Sequence, residues 1–239
     1  MSLDINVKVK YIGHSTFLIL TDSNKKIIID PWLEDNPSTQ ETIESIGSVD
    51  YILITHGHFD HVGDTLNLMK KNPEAIVISN FEIGMWIEKK GGKNISPMSH
   101  GGTQKFEEFD VSMVNAVHGS GISDPDSEHL VYGGLASGLV INFKNKYVIY
   151  HAGDTSIFGD MSLISDIHKP DLCMIPIGDH FTMGVKEAAY ATKLIKAKSY
   201  IPIHYGTFPV LTGDPAEFKE IVENESDSSV TILNPGDEL

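Results

Sequence analysis

The chain has one cysteine, few basic residues and no long apolar run. The single cysteine, Cys173, excludes a disulfide framework within the chain and a cysteine-rich zinc site. Only 18 of the 239 residues are basic whereas 33 are acidic, so the formal net charge is -15. Binding to nucleic-acid phosphates or to an anionic membrane needs clustered basic residues, and this composition therefore argues against both kinds of partner. The apolar runs end well before the roughly 18 residues that a transmembrane helix needs.

The N-terminal segment, residues 1–13, mixes charged and apolar residues and lacks the apolar core of a signal peptide. We therefore expect a cytoplasmic protein. The chain also lacks an internal repeat, a low-complexity tract and a linker rich in proline or serine. Histidine, in contrast, is abundant, with 11 residues. If a metal is bound, imidazole and carboxylate groups must hold it.

Strands come in runs in this sequence, with helices between and after them. Strands are predicted at Ile5–Tyr11, Thr16–Leu20, Lys26–Ile29, Asp50–Ile54, Ala75–Ile78, Val111–Val117, Gly138–Phe143, Lys146–Tyr150, Asp171–Ile177, Ser199–Ile203 and Val230–Leu233. Helices are predicted at Asp64–Lys71, Phe81–Lys90, Ser156–His168, Val185–Ala197 and Pro215–Asn224. This order fits two sheets packed face to face, with helices outside, better than a strictly alternating parallel sheet.

The densest group of metal-capable side chains is the segment Thr55–His61, THGHFDH, which directly follows a predicted buried strand. In an extended segment, His56 and His58 lie on the same side and can share one ion. If a helix begins near His61, Asp60 and His61 turn to another side and can hold a second ion. Imidazole with a carboxylate suits zinc, iron, manganese or nickel, and is poor for calcium or magnesium. The spacing indicates a metal site rather than a histidine-rich polar loop.

Four further Asp and His residues each follow a predicted strand: Asp30, His118, Asp154 and His204. A single histidine at a strand end is more often a hydrogen-bonded structural residue than a ligand. Loops at one end of a sheet, however, are where α/β architectures build their sites. The coincidence of four such positions with the Thr55–His61 segment therefore predicts a common site.

The order of these motifs resembles the metallo-β-lactamase superfamily over nearly the whole chain. The five motifs of that superfamily correspond, in order, to Asp30, to His56-x-His58-x-Asp60-His61, to His118, to Gly153-Asp154 and to His204. The segments Ile12–Phe17, Ile29–Trp32 and Ile177–Gly184 are similar to a branch of small, stand-alone metal-dependent hydrolases. That branch is similar to the L-ascorbate-6-phosphate lactonases and, more distantly, to phospholipase D-type enzymes that cleave N-acyl phosphatidylethanolamines.

The resemblance implies an α+β fold, a four-layered αββα sandwich with two mixed β-sheets and outer helices. It also implies a single domain over residues 1–239 and two divalent metal ions. By this resemblance one ion would be held by His56, His58 and His118. The other would be held by Asp60, His61 and His204, with Asp154 bridging the two. Asp30 would accept a hydrogen bond from a ligand imidazole and fix its tautomer.

Such a site predicts hydrolysis of a small molecule. Two divalent ions about 3.5–4 Å apart can hold a bridging water, lower its pKa toward neutrality and polarise a substrate oxygen. Asp60 and Asp154 can accept a hydrogen bond from this nucleophile, so neither serine nor cysteine is required. The predicted substrate is an ester, a lactone (a sugar-phosphate lactone among them) or a phosphodiester. Zinc is the favoured metal, with manganese, nickel or iron as alternatives.

Substrate contacts are expected from loops near the same edge. His14 lies in a short turn between two predicted strands and, by the resemblance, faces the metal cleft. His180 and Thr182 follow an apolar strand and are assigned as further candidate contacts, with a surface imidazole as the alternative for His180. The long 119–138 segment is either functional or a solvated loop. Cys173 lies in an apolar run and is expected in the core.

Two other functions remain open at this point. One is RNA cleavage, as in the ribonuclease branches of the superfamily, although the negative charge opposes it. The other is a non-hydrolytic role as a diiron redox protein or a metal-dependent sensor. The expected partner is a small-molecule substrate rather than a nucleic acid or a membrane, and the formation of a homo-oligomer stays open.

Overall fold

A computed structural model describes residues 7–239, so residues 5 and 6 of the predicted first strand lie outside the described part. The strands are β1 (Lys8–Gly13), β2 (Thr16–Leu20), β3 (Lys26–Ile29), β4 (Tyr51–Leu53), β5 (Ile76–Asn80), β6 (Ile95–Met98), β7 (Thr103–Lys105), β8 (Phe109–Asn115), β9 (Gly121–Ile122), β10 (Val131–Tyr132), β11 (Ser137–Phe143), β12 (Val148–His151), β13 (Leu172–Pro176), β14 (Ser199–Ile203) and β15 (Ser229–Val230). The helices are α1 (Ile43–Ile46), α2 (Phe59–Val62), α3 (Thr65–Lys71), α4 (Phe81–Lys89), α5 (Met161–His168), α6 (Val185–Ile195) and α7 (Pro215–Glu225).

These elements form two compact units. Among the described residues, the first unit comprises 7–99, 119–135 and 234–239, and the second comprises 100–118 and 136–233. Each unit contains one mixed sheet and its own helices. The predicted α+β class with two mixed sheets is therefore confirmed, whereas the single domain over 1–239 stays a prediction.

In the first unit, six strands lie in the order β1-β2-β3-β4-β5-β6. The first three are antiparallel, and β3 to β6 run parallel. Strand β3 reads KIII, and its three isoleucines are fully buried. β-Branched residues suit such a strand because both of its faces are covered. Helices α3 and α4 bury Leu68 and Ile83 in the cluster that contains Ile28 and Ile52 of the sheet.

In the second unit, seven strands lie in the order β15-β14-β13-β12-β11-β8-β7. Strands β12 to β15 are parallel, and β12, β11, β8 and β7 pair antiparallel. Strand β13, LCMIP, is buried along its whole length. Helices α5, α6 and α7 contribute Ile164, Ala188 and Phe218 to the core cluster around this sheet. In the described part of the chain, none of the helices combines the length and the apolar character needed to cross a bilayer.

The five predicted helices are present, and their ends lie within two residues of the predicted ends except at the start of α5. Helix α5 begins at Met161 rather than at Ser156, because Gly159 and Asp160 form a turn before it. Of the predicted last strand, Val230–Leu233, only Val230 lies in β15. The elements α1, β6, β7, β9 and β10 were not predicted from the sequence. These elements have only two to four residues each, so they carry little periodicity of their own.

Two isoleucines, one in the core and one on the surface, test which residues stabilise the second unit. Ile175 in β13 is fully buried, whereas Ile167 in α5 is 72% exposed. Ile175→Ala should lower the free energy of unfolding by about 2–5 kcal/mol, because it removes buried methyl groups and leaves a cavity. Ile167→Ala should change it by less than about 0.5 kcal/mol. Urea unfolding measures both, and equal losses in the two variants would contradict the assignment.

Candidate metal centre

The Thr55–His61 segment lies where two parallel strands end. Asp30 follows β3, and Thr55 comes two residues after the end of the neighbouring β4. His58 is extended, with φ -66° and ψ 153°, and caps α2, which carries Asp60 and His61. The chain therefore changes from extended to helical within this segment, which is the condition under which Asp60 and His61 turn to a different side from His56 and His58.

Asp30 organises the segment through a buried carboxylate. The backbone N–H of Thr55 donates to Oδ1 of Asp30 at 2.8 Å, and the Thr55 hydroxyl donates to Oδ2 at 2.7 Å. Nδ1 of His61 lies 2.8 Å from the same Oδ2. An ionised carboxylate only accepts hydrogen bonds, so His61 donates from Nδ1 and keeps its lone pair on Nε2. Asp30 thus contacts His61, one of the imidazoles that the resemblance assigns to a metal.

Thr55 also fixes the neighbouring imidazole, a role that sequence reasoning missed. The Thr55 Oγ1 atom lies 3.0 Å from Nδ1 of His56. Because the single hydroxyl proton goes to Asp30, Oγ1 accepts from His56, which keeps its lone pair on Nε2. That Nε2 atom lies 3.0 Å from Nδ1 of His58. The position of Thr55 directly before the first motif histidine was the only signal for this role.

A second group of potential ligand atoms in the first unit involves His14, Asp60 and His61, whose ligand-capable atoms lie within 4.8 Å of one another. Nε2 of His14 lies 3.0 Å from Oδ2 of Asp60, and Nε2 of His61 lies 3.9 Å from the same oxygen. All three side chains are buried. His14, predicted to contact substrate, therefore lies directly against a predicted metal ligand.

The second unit brings together His118, Asp154 and His204, which follow β8, β12 and β14. Oδ2 of Asp154 lies 2.9 Å from Nε2 of His204 and 3.6 Å from Nε2 of His118. The hydroxyl of Thr155 accepts a hydrogen bond from the backbone N–H of Val117 at 3.0 Å, which ties the chain before His118 to the loop of Asp154. One buried carboxylate thus lies between two imidazoles.

Several of these residues adopt left-handed backbone conformations. His14, Asp30 and His204 have φ values of 57°, 46° and 57°. Such conformations in residues other than glycine cost on the order of 1–3 kcal/mol each, and they persist only where the surroundings enforce them. All three follow strands and carry metal-capable groups, so contacts around these strand ends hold the side chains despite the backbone cost. Other left-handed residues, such as Lys169 and Lys196, end helices.

The 119–135 segment is anchored to the histidine motif. The Ser120 hydroxyl accepts from the backbone N–H of Gly57 at 3.0 Å and donates to the carbonyl of Gly133 at 2.7 Å. A Cβ atom at Gly57 would lie 2.7 Å from Cγ1 of Ile122 and 2.9 Å from the carbonyl oxygen of Ser120, so only glycine fits there. Lys90 pairs with Asp124 in the same segment. These contacts argue against a freely solvated loop.

His180, Thr182 and Cys173 do not belong to the metal-capable groups found among the described residues. His180 is exposed, and its ring meets that of Phe181 edge-on at 4.5 Å between centroids. The backbone N–H of Thr182 donates to the carbonyl of Asp179 at 2.6 Å. Cys173 is fully buried, as expected, and burial raises the pKa of its thiol well above the usual value. Such a thiol is a poor nucleophile.

The donor chemistry of both groups fits a first-row divalent ion. Imidazole nitrogens and carboxylate oxygens are the donors that zinc, manganese, iron and nickel accept, and hydrogen bonds direct the lone pairs of His56 and His61 onto Nε2. The His56 and His61 side chains are fully buried, so water does not solvate their nitrogen lone pairs. A bound ion would offset the free-energy cost of burying these polar groups.

Comparison with known proteins identifies the family. The family described as the Beta-lactamase superfamily domain matches residues 25–205. A UPF0173 metal-dependent hydrolase from Koribacter versatilis (strain Ellin345) is 48% identical over 218 residues, which cover 91% of this chain and 92% of that protein. The chain belongs to the UPF0173 metal-dependent hydrolase family of the β-lactamase superfamily.

Further relatives support this membership. A second UPF0173 metal-dependent hydrolase, from Rubrobacter xylanophilus, is 41% identical over 233 residues, 97% of this chain and 96% of that protein. Among solved structures, Igni18, a metallo hydrolase from the archaeon Ignicoccus hospitalis, superposes with a TM-score of 0.87 at 34% identity, covering 98% of this chain and 97% of its own. The metallo-β-lactamase-like fold predicted from the motifs is therefore confirmed.

The position of His204 depends on a close backbone approach that can be tested. A Cβ atom at Gly178 would lie 2.0 Å from the carbonyl oxygen of His204, whereas one at Gly159 would meet nothing within 4 Å. Gly178→Ala should therefore lower the free energy of unfolding by about 1–3 kcal/mol through overpacking, and Gly159→Ala should change it by less than about 0.5 kcal/mol. Chemical unfolding compares the two, and a neutral Gly178→Ala would contradict the described packing.

Proposed function

We propose that this protein is a binuclear metal-dependent hydrolase of small molecules. The chain belongs to a metal-dependent hydrolase family. The observation that carries the proposal is that buried carboxylates of this chain lie within hydrogen-bonding distance of buried imidazoles, as Asp60 does of His14 and Asp154 of His204. Both groups consist of donors that first-row divalent ions accept. The family membership supports metal-dependent hydrolysis, and the side chains support the number and type of ligands proposed below.

The proposed ligand set has one ion on His56, His58 and His118 and the other on Asp60, His61 and His204, with Asp154 bridging. The directed lone pairs of His56 and His61 support this assignment. The placement of Asp154 Oδ2 within 3.6 Å of two imidazole Nε2 atoms supports its bridging role. Asp30 and Thr55 would not touch the ions themselves. Their hydrogen bonds hold the imidazoles of His61 and His56 in one tautomer.

Two bound divalent ions would supply Lewis acidity, polarising the substrate oxygen and lowering the pKa of an attacking water. The carboxylates of Asp60 and Asp154 accept hydrogen bonds from that water and orient it toward the electrophilic carbon or phosphorus. They can also take up the proton that the water loses. Cys173 takes no part, because its thiol is fully buried.

The proposed substrate is a small-molecule ester, lactone or phosphodiester, and the proposed metal is zinc, with manganese, nickel or iron as alternatives. The net charge of -15 disfavours RNA, because phosphate binding needs basic surface. A cytoplasmic location stays a prediction from the sequence. His180 and Thr182 are proposed as substrate contacts on the basis of the sequence alone.

The test is hydrolysis of phosphorylated sugar lactones and phosphodiesters by zinc-, manganese- and nickel-loaded protein. His58→Ala should lower turnover at least about 100-fold, because it removes a metal ligand. His168→Ala removes a half-buried imidazole at the end of α5 and should leave turnover within about twofold of the original chain, since that residue is outside the proposed centre.

Unchanged turnover in the His58→Ala variant would show that the proposed centre is wrong. Salt-sensitive RNA cleavage by the original chain would favour the nuclease alternative instead. Iron binding with visible absorbance and redox activity, but without hydrolysis, would favour the diiron alternative.

A further inference from the structure

We propose that His14 is a positioning residue that holds the Asp60 carboxylate, and that the strained turn between β1 and β2 exists to direct it. This inference rests on the proposed metal centre. It replaces substrate contact, the role that the sequence predicted for His14. In the group formed by His14, Asp60 and His61, only His14 is absent from the proposed ligand set, and the inference gives this imidazole a function.

The contact itself is a buried hydrogen bond. Nε2 of His14 and Oδ2 of Asp60 are 3.0 Å apart, and the His14 side chain is completely buried while Asp60 is 8% exposed. An ionised carboxylate accepts, so His14 donates from Nε2. A carboxylate offers two oxygens and about four acceptor positions, so this bond leaves Asp60 able to coordinate an ion.

The bond is the counterpart of the one that Asp30 makes with His61. Asp60 and His61 are adjacent in α2, and each is held by a residue from the end of a strand in the same sheet. A carboxylate, Asp30, holds the imidazole at 2.8 Å, and an imidazole, His14, holds the carboxylate at 3.0 Å. Outer partners of this kind set the direction and basicity of a metal ligand.

The turn that presents His14 is unusual for a histidine. Gly13 of β1 pairs with Thr16 of β2, so the turn has two residues, and the first of them, His14, has φ 57°. Two-residue hairpin turns usually place glycine or asparagine at such a position. Glycine would adopt this conformation at no cost, so what histidine adds at this position is the imidazole that reaches Asp60.

Surrounding contacts hold both the turn and the ring. The hydroxyl of Tyr11 donates to the carbonyl oxygen of His14 at 3.1 Å. The His14 ring meets the Trp32 ring edge-on, with centroids 5.1 Å apart and planes at 81°. The backbone N–H of Trp32 in turn donates to the hydroxyl of Thr16 at 3.3 Å. The Tyr11 hydrogen bond therefore holds the backbone of His14, and the Trp32 ring holds its imidazole.

Two substitutions separate the imidazole from the turn. His14→Asn retains a residue that accepts the left-handed conformation, but its amide is too short to reach Asp60. His14→Gln carries an amide nitrogen at about the distance of the imidazole Nε2 and can restore the donor. For each variant, the zinc dissociation constants of both sites are measured by competition with a chromophoric chelator, and the melting temperature of the metal-free protein is measured separately.

His14→Asn should weaken zinc binding at one site about 10–100-fold, because an outer partner of a ligand is lost. The melting temperature of the metal-free protein should stay the same or rise, because the turn is relieved of strain. His14→Gln should bring the affinity of that site back to within about threefold of the original chain. X-ray absorption on the zinc-loaded proteins should show the same number of imidazole ligands in the original chain and in His14→Gln.

Original affinity in His14→Asn, or a lower melting temperature with unchanged affinity, would show a purely structural role and overturn the inference while leaving the proposed function intact. Failure of His14→Gln to restore binding, together with the loss of one imidazole ligand, would make His14 itself a metal ligand and also overturn it. If the original chain binds no zinc, manganese, nickel or iron, the proposed function fails, and this inference fails with it.

Discussion

The buried carboxylate of Asp30 is the constraint on which the histidine motif depends. It accepts from the backbone and hydroxyl of Thr55 and from Nδ1 of His61, at distances of 2.7–2.8 Å. Through the Thr55 hydroxyl it also determines which nitrogen of His56 carries the proton. One charge at the end of β3 therefore sets the tautomers of two predicted ligands, because it can only accept hydrogen bonds.

Backbone strain accompanies several metal-capable side chains within each unit. His14, Asp30 and His204 all have positive φ, and Gly178 approaches the carbonyl of His204 more closely than any side chain would allow. Strain at each position costs stability. It persists only where the surrounding structure enforces it, as the contacts of Tyr11 and Trp32 do at His14.

Much of this arrangement could be predicted from the sequence, and the rest could not for physical reasons. The position of Asp30 at the end of β3 followed from the apolar run before it, and the change from extended chain to helix around His58 was the condition set for a second group of ligands. The donor role of Thr55 depends on where one hydroxyl proton goes, and the contact between His14 and Asp60 joins residues 46 positions apart. The two-residue strands β9 and β10 form only by pairing with each other, and two residues are too few to show the alternation of a strand in the sequence.

The most direct test of the account is the number of metal ions that the chain binds. The protein would be stripped of metal, dialysed to equilibrium against zinc or manganese, and analysed for metal per chain by inductively coupled plasma mass spectrometry. The proposed ligand set predicts two ions per chain at saturation. Saturation at one ion per chain would contradict the binuclear centre, and the absence of bound metal would contradict metal-dependent hydrolysis altogether.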